Sequence, residues 1–262
     1  MIEPKLISVF ILFCGLFVSS CELDEDDYGC HEVKEVPGFK KGTIFIDPDI
    51  ITEYDASAFA GILYEGRFET RMFDRRINDD IILLAYIFDV SFDDGLSCEV
   101  RVNPEFGSMN MAMNEAIYYA TVIGQMPNCL RQELRTVTIH KGDQLFGGGD
   151  GDILIHTDQA YWYEKDGILE ETIFHEATHV SLDPYHYKDE YRDAMCADKA
   201  FISEYAEDHP NREDIAESFL TYVAVAYKSD RISWDVQDII EDVNAYRLDY
   251  FDNQRFDMYP IN

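Results

Sequence analysis

His175, Glu176 and His179 stand together in the stretch IFHEATHVSLD, residues 173–183. On an α-helix, residues four apart lie one turn up and about 40° around. The two imidazoles therefore project from one face and can share a tetrahedral metal ion. Glu176 lies beside that face, one residue round, where it reaches water instead of metal. Two imidazole ligands and a carboxylate base on a rigid helix are what zinc-assisted hydrolysis requires, and imidazoles favour zinc over magnesium or calcium. The competing reading is coincidence. The apolar neighbours Ile173, Phe174 and Val180, which would seat such a helix in a core, weigh against it.

A catalytic zinc needs a third protein ligand and one open position. The extended pattern H-E-x-x-H-x-x-G-x-x-H fails here, because Leu182 and Tyr185 occupy its glycine and third histidine and His186 is one residue out of register. Asp183, four residues after His179, suits an acceptor that orients an imidazole N–H, with a structural role at the helix end as its alternative. The remaining candidates are Glu213 and Glu217 in EDIAESFLTYV, which flank one edge of the apolar stripe Ala216, Phe219, Leu220 and Val223. A helical wheel does not separate them, although it places Glu213 slightly nearer the buried centre.

HEATH followed by AESF on a downstream helix resembles the gluzincin metallopeptidases, and the context of that glutamate is similar to their lethal-factor-like branch. The specific motifs cover residues 152–227. The wider stretch from GTIFID to AESF is similar to secreted zincin-like proteins of uncharacterised function. The resemblance implies that His175, His179 and Glu217 hold zinc, that Glu176 is the general base, and that DILIHT is an edge strand binding peptide by β-augmentation. Where the lethal-factor-like branch has a tyrosine assisting the transition state, this chain has Pro210. Tyr205, His209, Tyr187 and Tyr222 are its possible substitutes.

The chain of 262 residues, 47% hydrophobic, suffices for one substantial core. A formal charge of −31 repels phosphate backbones and anionic headgroups, which argues against nucleic-acid binding. Lys5, the apolar run from Leu6 to Val18 and the small residues before Cys21 read as an export signal over 1–20, too short for a membrane span. VSSC is similar to a bacterial lipobox, so lipidation at Cys21 and simple secretion are both expected outcomes. A lipid anchor would be the one contact with a membrane. Residues 21–37 read as an acidic tether and 38–262 as the catalytic domain. Cys30, Cys98, Cys129 and Cys196 form an even set suited to an oxidising compartment, with Cys98–Cys129 the preferred pair. Cys30 and His31 could also block zinc, making residues 22–37 a candidate inhibitory segment.

The elements that must position these groups follow from pattern. GTIFID (42–47) reads as a strand, and IILLAYIFDVSF with DDGLSCEVRVN as a hairpin turning at Asp93-Asp94-Gly95. Residues 109–126 read as a helix stopped by Pro127, then 134–140 and 152–157 as strands. FGGGDGD reads as a flexible turn. Helices are expected over 168–182, ended by Pro184, over 191–206, over 211–227 with Asn211 as N-cap, and from Trp234 to about residue 253. Strands first and helices later make an α+β domain, a zincin-like one by resemblance: a mixed sheet with an edge strand and active-site helix, then a helical C-terminal part.

His140 and His156 end strands and read as structural, His156 as partly exposed. Met109, Met111 and Met113 read as core filler. The expected activity is a secreted or surface-anchored zinc peptidase acting on a peptide or protein. Its alternatives are a non-catalytic peptide-binding module of the same fold and an exported zinc hydrolase of a non-peptide amide.

Overall fold

The computed structural model describes residues 30, 34–47 and 49–261. The export signal, Cys21 and His31 lie outside the described residues. The fold is α+β, as expected from the order of its elements. Phe59–Asp74 (β1) and Asp79–Phe92 (β2) form a long antiparallel hairpin. The chain then turns through Gly95, whose φ of +90° suits a residue without Cβ, and returns as Ser97–Val102 (β3). Thr136–His140 (β4), Gly147–Gly149 (β5) and Asp152–His156 (β6) complete a six-stranded mixed sheet in the order β1-β2-β3-β4-β6-β5. β4 runs parallel to β3 and β6, and β5 lies antiparallel on the edge.

Period-two patterning decides which face is covered. Tyr86, Phe88 and Val90 stand opposite Val102, Val100 and Cys98, and Val137 and Ile139 opposite Ile153 and Ile155. All of these belong to one core cluster shared with the helices. The opposite face carries the small cluster Met72, Ala85 and Ile87.

The helices are Met109–Gln125 (α1), Asn128–Arg131 (α2), Thr157–Lys165 (α3), Leu169–Ser181 (α4), Asp183–His186 (α5), Asp189–Ala197 (α6), Glu204–Asp208 (α7), Asp214–Tyr227 (α8), Trp234–Val243 (α9) and Ala245–Gln254 (α10). Serine side chains cap α1, α7 and α9: Ser108, Ser203 and Ser233 each accept the amide three residues on. Phe174 of α4 stacks on Phe219 of α8 with ring centroids 5.5 Å apart, which ties the two functional helices together.

Several expectations change. Thr43–Phe45 is a 3-10 turn and not a strand, because the Thr43 amide is drawn to a buried carboxylate. Pro184 sits inside the first turn of α5, where its missing N–H costs nothing, so it starts a helix instead of ending one. The 191–206 region divides into α6 and α7, and the last helix breaks at Asn244. Asn211 is not an N-cap: its Oδ1 accepts the Tyr187 hydroxyl at 2.5 Å, and Glu213 occupies the cap position of α8. The disulfide joins Cys30 to Cys196, while Cys98 and Cys129 are buried free thiols. Cys30 is therefore committed away from any zinc-blocking role. Lys34 and Glu35, read as tether, bond to the domain at Met195 and Lys199.

The glycine-rich stretch corrects the edge assignment. β6, from DILIHT, is internal, and the edge strand is Gly147–Gly149. A Cβ on Gly148 would fall 2.0 Å from the Glu176 carbonyl oxygen. Only glycine lets a strand backbone lie this close to the motif helix.

Candidate metal centre

The motif helix α4 is buried along almost its whole length, with His175, Glu176 and His179 all at most 8% exposed. Its histidines point their Nε2 atoms at one another, 3.1 Å apart. Glu213, the residue that caps α8, brings Oε2 to 3.2 Å from both. Tetrahedral zinc with ligands at 2.0–2.1 Å holds them about 3.3 Å from one another. The triangle of 3.1, 3.2 and 3.2 Å thus matches the footprint of a small tetrahedral ion. His175, His179 and Glu213 form a buried group able to hold a metal, and the donor set is one that zinc favours.

The resemblance assigned the third position to Glu217, and the structure puts Glu213 there. Glu217 lies one turn along α8 and faces the other nitrogen of His175, with Oε1 3.6 Å from Nδ1. Its Oε2 accepts from the Thr43 amide at 2.7 Å and the Ser203 hydroxyl at 2.6 Å. On the far side of the site, Asp183 Oδ2 lies 2.6 Å from His179 Nδ1. A carboxylate on Nδ1 holds the proton there and leaves the Nε2 lone pair for a metal.

Charge follows the same plan. Burial would depress the His179 pKa, but the Asp183 and Glu213 carboxylates outweigh it and raise it well above its ordinary value. His175 is raised too, burial being overcome by its bond to Glu213. Burial pushes against ionisation of Glu213, yet the two imidazoles win and hold it well below the usual carboxylate range. Glu217 goes the other way, burial outweighing His175, Ser203 and Thr43. Three acidic side chains, Asp183, Glu213 and Glu217, thus face the two imidazoles. Such a place calls for a cation, here a proton or a metal.

Comparison with protein-family models, curated proteins and solved structures finds no match. The reading of the site rests on its geometry.

Glu176 is buried beside the triad, and its Oε2 has no hydrogen-bond partner among the described residues. Arg212 forms an ion pair with the other oxygen of Glu213, Nε lying 3.1 Å from Oε1. Neither Arg212 nor Ser203 carries a motif signal. Among the candidate helpers of the transition state, Tyr187 is bonded to Asn211 and Tyr222 is packed on Phe219 and Phe251. Tyr205 and His209 pack edge to face on the segment leading to Glu213, whose amide bonds to the His209 carbonyl.

His156 is fully buried, not partly exposed, and stacks on His140 with centroids 5.7 Å apart. Its pKa is pushed down to about 4, first by burial and then by His140. A group depressed in the fold is neutral there while the unfolded chain takes up a proton below about 6.5. The stability it contributes is therefore present above that pH and lost as the pH falls towards 4. His156→Gln should flatten this part of the stability–pH curve, as measured by urea melts between pH 7 and pH 4. An unchanged slope would show that other groups set it.

Proposed function

We propose that this protein is an exported zinc-dependent peptidase. The observation that carries the proposal is the buried triangle of His175, His179 and Glu213, with Glu176 next to His175 on α4 and its Oε2 without a hydrogen-bond partner among the described residues. A zinc ion held by the triad would supply Lewis-acid polarisation and lower the pKa of water towards neutrality. Glu176, next to His175 on the same helix, would take the proton of the attacking water and pass it to the leaving amine. A site serving structure alone does not need a free buried carboxylate beside its ligands. Asp183 orients the His179 imidazole through its bond to Nδ1, and Glu217 faces Nδ1 of His175 at 3.6 Å.

An edge strand beside the motif helix supports a peptide as the substrate class. β5 is the edge strand of the sheet and packs against the backbone of α4 at Glu176, so an extended peptide adding as a further strand would lie beside the motif helix. The Cys30–Cys196 disulfide suits a chain that works in an oxidising compartment, and no helix among the described residues is long and apolar enough to cross a membrane.

The test pairs elemental analysis with a peptide-library cleavage assay. Wild type should carry one equivalent of zinc and cleave. Glu176→Gln should keep the zinc and lose turnover by at least the 10²–10⁴-fold typical of a lost general base, i.e. about 100-fold or more. Zinc without cleavage in any library would turn the proposal towards a binding module, and absence of zinc would remove its foundation.

A further inference from the structure

The segment from Lys34 to Thr43 forms a strap across the helical half of the molecule. Cys30, just ahead of it, is bonded to Cys196 near the end of α6. Lys34 Nζ donates to the carbonyls of Met195, Cys196 and Asp198, which closes the C-terminal end of that helix. The strap then runs beside residues 199–204. Glu35, Gly38 and Phe39 donate to the carbonyls of Lys199, Phe201 and Ile202 at 2.9–3.0 Å, and Glu204 donates back to Phe39. It ends by placing Gly42 and the Thr43 amide on Glu217. A Cβ on Gly42 would stand 3.1 Å from Glu217 Oε1, so a larger residue would crowd the carboxylate.

Ser203 lies on the segment that the strap pairs with, forming a bridge to Phe39, and it supplies the second donor to Glu217 Oε2. Both donors of this fully buried carboxylate therefore depend on the strap being seated. A buried carboxylate deprived of its donors is no longer held in place, and His175 Nδ1 then loses the group that faces it. We infer that the disulfide-fastened strap is a positioning element of the metal centre, setting its affinity by holding Glu217 against His175. The inference rests on the metal-site reading above. It assigns positioning roles to Ser203 and to the Thr43 amide, which touch no metal ligand themselves.

The test is the zinc dissociation constant of the intact, disulfide-bonded chain, measured by competition with a chromophoric chelator. Ser203→Ala and the double substitution Cys30→Ser/Cys196→Ser should each weaken zinc about tenfold, within the range usual for groups that orient a ligand from outside. Ser203→Thr, which keeps the hydroxyl, should restore it. Asp55→Asn, which breaks the ion pairs of Asp55 with Lys228 and Arg231, should lower the Tm and leave zinc affinity unchanged. If the double cysteine variant does not fold, the Ser203 pair decides alone. Wild-type binding with Ser203→Ala within twofold of it would overturn the strap's role and leave the metal site standing. A wild type that binds no zinc would overturn both.

Discussion

Glu213→Ala should remove zinc from the purified protein, whereas Glu217→Gln should leave it bound about 10–100-fold more weakly. The two glutamates lie one turn apart at the start of α8, both 1% exposed, yet they meet different nitrogens. Glu213 Oε2 closes the triangle with both Nε2 atoms at 3.2 Å. Without it two neutral ligands remain, and the negative charge that favours a dication over water is gone. Glu217 faces Nδ1 of His175, where its loss loosens the ring without opening the triangle. Equilibrium dialysis against zinc at neutral pH reads both results. If Glu217→Gln emptied the site and Glu213→Ala did not, the roles assigned to the two carboxylates would have to be exchanged.

The second large effect concerns stability. Arg247→Ala should destabilise the fold by about 3–5 kcal/mol, the usual cost of removing one partner from a buried ion pair. Arg247 is fully buried, with Nε 3.0 Å from Asp214 Oδ2 and Nη1 3.2 Å from Asp198 Oδ2 and 2.6 Å from Asn244 Oδ1. Asp214 also accepts the Tyr191 hydroxyl at 2.6 Å. Truncation leaves two carboxylates in the interior with few donors and opens space where α10 meets α6 and α8. Because Asp214 follows Glu213 directly, the loss should also reach the start of α8. Urea denaturation gives the test through a lower midpoint at unchanged slope. A change below about 1 kcal/mol would mean that the network is solvated or repacks at little cost.

The parts of the molecule that were legible beforehand are those whose signals are local. Asp93-Asp94-Gly95 marks its hairpin because a turn is written in a few adjacent residues, and α1 and α4 show in helical pattern. The H-E-x-x-H spacing brings its two imidazoles together through one turn of helix, whatever the rest of the fold does. β1 was not expected, since its alternation is interrupted by register shifts at Phe59/Gly61 and Tyr64/Gly66 and by exposed arginines and glutamates. The third ligand could not be chosen from a helical wheel, because Glu213 and Glu217 lie one turn apart on nearly the same face, the Glu217 amide bonding to the Glu213 carbonyl at 2.9 Å. Only the position of α4 decides which of them meets the Nε2 atoms. The disulfide spans 166 residues and GTIFID bends to meet a carboxylate 174 residues away, relations that no window along the chain contains. Gly147–Gly149 has turn composition, yet it pairs with β6 as a strand, and at Gly148 α4 leaves room for nothing but backbone.

That strand also differs from its neighbours in how it is held. Three glycines contribute no side-chain burial and lose more backbone freedom on ordering than any other residues would. Their order comes from outside, through pairing with β6, contact with α4 and the Arg75 guanidinium bonded to the Phe146 carbonyl. β5 therefore stands at the low-stability end of the molecule, able to open while β6 and α4 stay folded. If a peptide adds to this edge as proposed, its pairing would supply order that the glycines do not supply themselves.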